Sequence, residues 1–309
     1  MNVTVAICTW NRAALLDQTL RGLRALHAPA GVRWDVLVVN NNSTDETERV
    51  LDAHASALPL RRAFEPQPGL SNARNRALAS TAADWVVWTD DDVLVSAGWL
   101  AAFVETARRR PDAAAVGGPI DPWFQADPDP DLAAVFEPLR TGFCGVNHGP
   151  SERDLGPSEY IYGANMAYRR GAVAGLRFDP QLGHIGANQA GGDDVVYLNA
   201  ARARGPVVWC PGMQVRHYVD PKRMTLDYLA RFYRDANRTA ILVAPPPDPS
   251  PRLFGVPRWV LRRYAVAVAR CWALRLLGRR RARLSALRDT WAFGGRIAGY
   301  RALAGRPAP

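Results

Sequence analysis

The stretch that most constrains this chain is Ala83-Asp-Trp-Val-Val-Trp-Thr-Asp-Asp-Asp-Val93. Trp85 to Thr89 are β-branched or aromatic without a break, the composition of a strand buried on both faces of a sheet. The run ends in three consecutive carboxylates, Asp90, Asp91 and Asp92. Like charges at one strand end repel, so a bound cation is the economical reason to gather them. Carboxylate oxygens suit hard ions such as Mg²⁺ or Mn²⁺, which bind through one or two carboxylates plus a substrate phosphate. The alternative is a polar turn that merely ends a strand.

The rest of the chain repeats the pattern. Val3–Cys8 reads as a buried strand, followed by Thr9-Trp10-Asn11-Arg12 and a helix with Leu16, Leu20 and Leu23 on one face. Val36–Val39 is a second apolar strand ending in Asn40-Asn41-Asn42, and Ser43-Thr-Asp-Glu46 then reads as a capping box. Two successive strand–turn–helix units predict a parallel sheet with its site at the C-terminal edge of the strands, where Asn11, Asn40 and Asp90–Asp92 would gather. Gly69–Leu78 opens another helix with Ser71 or Asn72 as its cap, and Arg74 lies in a first turn that either faces solvent or faces a phosphate. Ser96–Arg110 predicts a helix burying Trp99, Phe103 and Ala107, and Ala113–Val116 a strand. Pro119–Pro157, rich in Pro, Asp and Gly, reads as a long loop region.

Gly163-Ala-Asn-Met166 combines small residues with the start of a short strand and permits close approach to a ligand. Gly191-Gly192-Asp193-Asp194 precedes an apolar helix. One acid there can be a plain N-cap, but two behind two glycines favour a functional carboxylate. Val207–Trp209 and Val215–His217 close the series as strands.

Charge separates the body from the tail. The net +10 is uneven: from Arg252 onward fourteen arginines face Asp289 alone, a net +13 that leaves −3 for residues 1–251. The Pro-rich run Pro245–Pro251 predicts a linker, so the expected division is a domain over 1–242, a linker over 243–251 and a basic amphipathic helical tail over 252–309. Within the first, about 1–120 would bind a nucleotide and about 158–242 an acceptor. On a helical wheel Arg262, Arg263 and Arg270 share one side, and Val260, Leu261, Tyr264, Val268, Cys271 and Trp272 lie largely opposite. That pattern fits an anionic membrane surface or a helix packed on the catalytic domain. Cys8, Cys144, Cys210 and Cys271 are widely spaced, as expected of reduced thiols. Met1-Asn2 leads directly into the first strand, and the expected location is cytoplasmic, with the tail peripheral on the inner face of a membrane.

Together these residues resemble the family 2 glycosyltransferases of the GT-A fold. The matching series is Cys8–Arg12, Asn42–Asp45, Gly69–Leu78, Thr89–Asp92, Gly163–Met166, Gly192–Asp194 and Val215–His217. The resemblance spans roughly residues 3–240, in the family's order. It implies an α/β fold with a Rossmann-like, mostly parallel sheet and flanking helices, here carrying a basic helical C-terminal extension. It also implies inverting transfer of a sugar from a nucleotide-diphosphate donor to an acceptor hydroxyl, in polysaccharide, glycolipid or related synthesis. Asp90 and Asp92 would form the D-x-D pair around Mg²⁺ or Mn²⁺, with Asp92 the direct ligand and His217 completing the metal or diphosphate environment. Thr9, Asn11 and Asn40 would lie around the base and Arg74 near the nucleotide. Gly163, Ala164 and Asn165 would line the acceptor or donor-sugar pocket, and Asp194 would be the catalytic base beside Asp193. Where the family often has an acid, this chain has Asn40, which leaves the base open among uracil, guanine and thymine; a UDP-sugar is the favoured donor, with GDP and dTDP forms the alternatives, and the acceptor is a carbohydrate or a lipid-linked one.

Other classes fit less well. Asp-Asp-Asp followed by Leu94 departs from the Asp-x-Asp-x-Thr/Val of haloacid-dehalogenase-type phosphatases, and Lys222 is the single lysine. No G-x-x-x-x-G-K-[ST] occurs, and no G-x-G-x-x-G follows a strand. A nucleic-acid-binding protein acting through its arginine-rich tail is the alternative outside enzymes, but no nucleic-acid partner is expected.

Overall fold

The computed structural model describes all residues except 27, 126–129, 183, 186, 187, 190, 191, 244 and 306–309, and the side chains of 138, 184, 185, 188, 189 and 243 are outside the description as well. In chain order the elements are β1 (Asn2–Thr9), α1 (Ala13–Leu23), β2 (Arg33–Asn40), α2 (Thr47–His54), β3 (Leu60–Phe64), α3 (Leu70–Ala79), β4 (Trp85–Trp88), β5 (Val93–Val95), α4 (Trp99–Arg109), β6 (Ala115–Gly117) and β7 (Ile120–Phe124). Then come the short helices α5 (Pro130–Ala133) and α6 (Phe136–Leu139), β8 (Arg153–Asp154), β9 (Met166–Arg169), the pair β10 (His184–Ile185) and β11 (Asn188–Gln189), α7 (Asp193–Arg202), β12 (Val207–Trp209) and β13 (Val215–Val219). The chain ends with α8 (Leu226–Val243), β14 (Arg252–Leu253), β15 (Val256–Pro257), α9 (Arg258–Leu276) and α10 (Arg280–Ala304).

The described residues form two packing units, Met1–Pro122 with Gly145–Tyr218, and Trp123–Cys144 with Val219–Pro309. The first is built on an eight-stranded sheet of order β3-β2-β1-β4-β9-β6-β12-β8. β1 is parallel to β2 and β4, β2 to β3, and β6 to β12, while β9 runs against β4 and β6 and β8 runs against β12. The sheet is thus mostly parallel, as the sequence predicts. Period-2 alternation splits the buried strand residues between two cores. Val5, Ile7, Val36, Val38, Trp85 and Val87 meet Leu16 and Leu20 of α1 and Trp99 and Phe103 of α4. Ala6, Leu37, Val39, Val86 and Trp88 meet Ala73 and Ala77 of α3 and Tyr197 and Leu198 of α7. Burial on both faces explains the unbroken run at Trp85–Trp88.

A second sheet, β5-β13-β7, delivers one more site residue. Its antiparallel register sets His217 against Val93, and Tyr218 N–H donates to the Asp92 carbonyl at 2.9 Å. The imidazole is therefore brought back to the end of β4 by backbone pairing.

The second unit departs from the expected division. The stretch read as loop over Pro119–Pro157 contains β7, α5, α6 and β8, and Leu132, Val135, Leu139 and Phe143 share a core with Leu229, Tyr233, Leu284 and Trp291. Short helices of four residues carry no periodic signature, which hid them in the sequence. α8, expected to close the catalytic domain, packs instead against α10. A Cβ at Gly295 would overlap the Arg234 carbonyl, and one at Gly299 would press on Ile241 and on the Arg238 carbonyl at 3.0 Å. These two glycines, one turn apart, let the backbones of α8 and α10 approach closely. Residues 243–251 therefore do not separate two packing units. Among the described residues no helix is long and apolar enough to cross a membrane.

Candidate active site

The parallel strands fix where polar side chains collect. β1, β2 and β4 end at Thr9, Asn40 and Trp88 on one edge of the sheet. Because β9 is antiparallel, its first residue, Met166, pairs with Trp88, which places the tight turn Gly163–Asn165 at that same edge.

The loops after β1 and β2 are stitched together. Asn11 has φ 52°, a left-handed conformation that Asn tolerates, and its N–H donates to Ser43 Oγ at 3.0 Å while its Oδ1 accepts from Thr44 N–H at 2.7 Å. Asp45 accepts from Ala13 N–H at 2.9 Å and so serves the start of α1 across the gap. The capping box read at Ser43–Glu46 is thus corrected. Ser43 bonds to the β1 loop, and α2 begins at Thr47 without a side-chain cap from its N-cap residue, Glu46.

The acid cluster follows β4 directly. Asp90, Asp92 and His217 offer one ligand atom each, all within 4.8 Å of one another. His217 Nε2 stands 3.4 Å from Asp92 Oδ1 and 3.7 Å from Asp90 Oδ2. Its Nδ1 lies 2.8 Å from the Tyr218 carbonyl, which can only accept, so Nδ1 carries a proton and Nε2 is the ring nitrogen that faces the cluster. The two oxygens of Asp92 differ in a telling way. Oδ2 accepts from Arg12 Nη1 at 2.8 Å, whereas Oδ1 is buried without a hydrogen-bond partner. A buried carboxylate oxygen left unbonded is costly, and a divalent cation among Asp90, Asp92 and His217 supplies what it lacks. The donor set therefore fits a hard metal ion.

The middle acid has a different role. Asp91 accepts from Thr9 Oγ1 at 2.7 Å and from Arg12 Nη1 at 3.2 Å. Burial, reinforced by the charge of Asp92, pushes its carboxyl up to about 7. Burial also pushes Asp90 upward, but the facing His217 imidazole, with Arg74 and Arg12, holds it below the usual carboxylate range. Arg12 bridges Asp91 and Asp92 with its side chain 44% exposed, so its guanidinium balances the cluster while still reaching solvent.

A second charged group lies at the start of α7. Arg74, almost wholly buried, pairs with both Asp193 and Asp194. It stands 5.2 Å over the Phe178 ring, which stacks on Tyr197 at 3.9 Å. Asp194 Oδ2 also accepts from Gly163 N–H at 2.8 Å. A Cβ at Gly163 would overlap the Arg74 guanidinium, so glycine is what lets the turn close over it.

Residues 4–140 match the family described as "Glycosyl transferase family 2". The chain is 27% identical over 245 residues to the succinoglycan biosynthesis protein ExoM of Rhizobium meliloti, covering 75% of this chain and 71% of that protein. It is 25% identical over 222 residues to the glucosyl-dolichyl phosphate glucuronosyltransferase of Haloferax volcanii, covering 65% and 68%. Among solved structures it is similar to the mannosyltransferase PcManGT from Pyrobaculum calidifontis in complex with GDP-Man and Mn²⁺, with a TM-score of 0.53 at 18% identity over 99% of this chain and 76% of that one. It is also similar to S. aureus TarS 1-349 in complex with UDP-GlcNAc, with a TM-score of 0.53 at 14% identity over 78% and 67%. The protein is a transferase with the GT-A fold.

In this glycosyltransferase several residues picked out in the sequence sit elsewhere than expected. Asn165 does not line a pocket. It is fully buried, accepting from Trp99 Nε1 at 2.9 Å and donating to the Pro119 and Met213 carbonyls at 3.0 and 2.6 Å. Gly163 and Ala164 are buried as well, and Gly163 meets Asp194 through its N–H. Asn40 has its amide engaged on both sides, donating to Glu48 Oε1 at 2.6 Å and accepting from Ser43 N–H at 2.8 Å, so it braces the loop. Thr9 is buried on Asp91, and Asn11 remains exposed. Arg74 holds the two acids of α7. Asp193 and Asp194 do not act as side-chain caps: α7 is capped by Gly192 at φ 110°, and α3 by Gly69 at φ 129°, not by Ser71 or Asn72. Gly191 lies outside the described residues.

Sequence reasoning missed Arg12 as the counter-charge of the acid cluster. It also missed Asn41, whose side chain donates to the Glu65 and Gln67 carbonyls and accepts from Gly69 N–H, pinning the loop before α3. The only available signal was position, since both follow strands that end at the acidic edge.

Proposed function

We propose that this glycosyltransferase inverts the anomeric centre in a single displacement, with Asp194 as the base and Asp92, Asp90 and His217 holding Mg²⁺ or Mn²⁺ at the donor's diphosphate. The observation that carries this reading is the buried, unbonded Oδ1 of Asp92 facing His217 Nε2. A metal ion bound there supplies Lewis-acid stabilisation of the departing diphosphate. The chain's own groups account for the rest. The acceptor oxygen forms its bond to the anomeric carbon as the glycosyl–phosphate bond breaks, its electron pair leaving with the diphosphate, and the hydroxyl proton passes to Asp194. Arg74 and Gly163 N–H each occupy one oxygen of that carboxylate, and each oxygen keeps a further lone pair for the proton. Arg12, half in solvent beside the acids, is placed to meet a phosphate.

The donor favoured is a UDP-sugar, with GDP and dTDP forms as the other arms of the test. Asn11 and the loop braced by Asn40 border the place for the base. A carbohydrate or lipid-linked acceptor is supported by relatives named for succinoglycan biosynthesis and for a glucosyl-dolichyl phosphate acceptor. A cytoplasmic protein held peripherally on the inner face of a membrane through 252–309 accords with such an acceptor. No nucleic-acid partner enters this reading.

The test is thermal unfolding with UDP-, GDP- and dTDP-sugars, each with Mn²⁺, with Mg²⁺ or with neither. A donor at 100 times its Kd stabilises by about 2.7 kcal/mol, and the shift should require the metal. Absence of a shift with every nucleotide and metal overturns the proposal.

A further inference from the structure

α9 has two unlike sides. Val260, Ala267 and Cys271 are buried, and Cys271 Sγ meets Thr290 Oγ1 of α10 at 3.4 Å. The outward side is neither polar nor neutral. Among the described residues, seven of the eleven exposed large hydrophobic side chains fall between 253 and 277, including Phe254, Trp259, Val266, Trp272, Leu276 and Leu277. Leu276 is 84% exposed and Leu277 68%. Arg258, Arg262, Arg263 and Arg270 are exposed along the same helix, Arg258 and Arg262 opposite the buried stripe and Arg263 and Arg270 on its flank. Trp272, placed by the sequence pattern with the buried side, is 57% exposed and lies under the Arg275 guanidinium at 5.3 Å.

Three occupants could cover such a face. A second copy would bring one strongly basic surface against another, since residues 252–309 carry fourteen arginines and one acid. A nucleic acid would satisfy the arginines but leave Val266, Leu276 and Leu277 in water. An anionic lipid surface satisfies both sets at once: phosphates take the guanidinium groups, and the boundary with the acyl chains takes the aliphatic and indole side chains. α9 has 19 residues, about 28 Å of helix at 1.5 Å per residue, but it carries Arg258, Arg262, Arg263, Arg270 and Arg275 and is not apolar enough to cross a bilayer.

We infer that α9 lies in the plane of an anionic membrane surface, with Trp272, Leu276 and Leu277 sunk to the headgroup boundary and Arg262, Arg263 and Arg270 on lipid phosphates. This narrows the peripheral-membrane reading above to one helix. It is independent of the transfer chemistry.

The test uses the full chain in co-sedimentation with vesicles of phosphatidylcholine, with and without phosphatidylglycerol. Two variants are compared with the wild type, Trp272→Gln/Leu276→Gln/Leu277→Gln and Arg262→Gln/Arg263→Gln/Arg270→Gln. All six positions are exposed, and an unchanged unfolding temperature verifies the fold. The wild type should bind only the anionic vesicles, and less at high salt. The arginine variant should lose about fivefold per charge removed, and the apolar variant on the order of tenfold. Failure of the wild type to bind anionic vesicles at low salt overturns the membrane reading itself. Wild-type binding that both variants retain leaves that reading standing and overturns the assignment to α9. A single-stranded RNA that displaces the vesicles from wild type and binds the apolar variant equally well overturns it in favour of a nucleic acid.

Discussion

At the C-terminal edge of the large sheet, Arg12 and Arg74 are each held by two carboxylates, and Arg74 is 3% exposed. On α9, Arg262, Arg263 and Arg270 stand in solvent beside exposed Trp272 and Val266. The two regions use the same guanidinium group to opposite ends. Where arginine is buried among acids, position matters, because removing one member strands the others in a low-dielectric setting. Where arginine is exposed, each charge adds a small, salt-screened increment and any one can be spared.

Catalytic chemistry gives the largest contrast. Asp194→Asn keeps the size of the side chain, can still accept from Gly163 N–H and leaves Arg74 its pair with Asp193, so the fold and donor binding should survive at some cost in stability. Transfer should fall by about 10²- to 10⁴-fold, the usual loss of a general base. Steady-state transfer and donor titration on the same preparation check this, and near wild-type turnover would move the base role to Asp193.

The stability contrast is next. Arg74→Gln leaves Asp193 and Asp194 without their buried counter-charge, and breaking a buried pair costs roughly 3–5 kcal/mol. Arg270→Gln on α9 should change stability by less than about 0.5 kcal/mol. Denaturant unfolding of the two variants measures both. Equal effects would show that the two settings are not different in kind.

The same contrast explains what was legible in the sequence. Trp85–Trp88 announced a doubly buried strand because both alternating faces had to be apolar, and the strand ends at Asn40 and Asp90–Asp92 could be placed at one edge for that reason. His217 could be assigned to the acid cluster only through the family's order; the register of β5 with β13 supplies the physical cause. Asn165 and Asn40 were misread because a buried amide that braces the fold and an amide that binds a ligand look the same in one dimension. Only the long-range partners, Trp99, Pro119 and Met213 for one and Glu48 and Ser43 for the other, tell them apart. Arg74 was read towards the nucleotide because its carboxylate partners lie 119 and 120 residues away. On α9, spacing predicted an amphipathic helix, yet the apolar side chains left in solvent, Trp272 above all, depend on how narrow the stripe facing α10 is.

The central claim is that Asp92 holds a divalent metal essential to breaking the glycosyl–phosphate bond. Its most direct measurement is release of nucleoside diphosphate from the donor identified by thermal unfolding, followed for wild type with Mn²⁺, for wild type in excess chelator, and for Asp92→Asn with Mn²⁺. Turnover should appear only in the first, and adding Mn²⁺ back to the chelated enzyme should restore it. Full turnover in excess chelator, or an Asp92→Asn enzyme as active as wild type, contradicts the account.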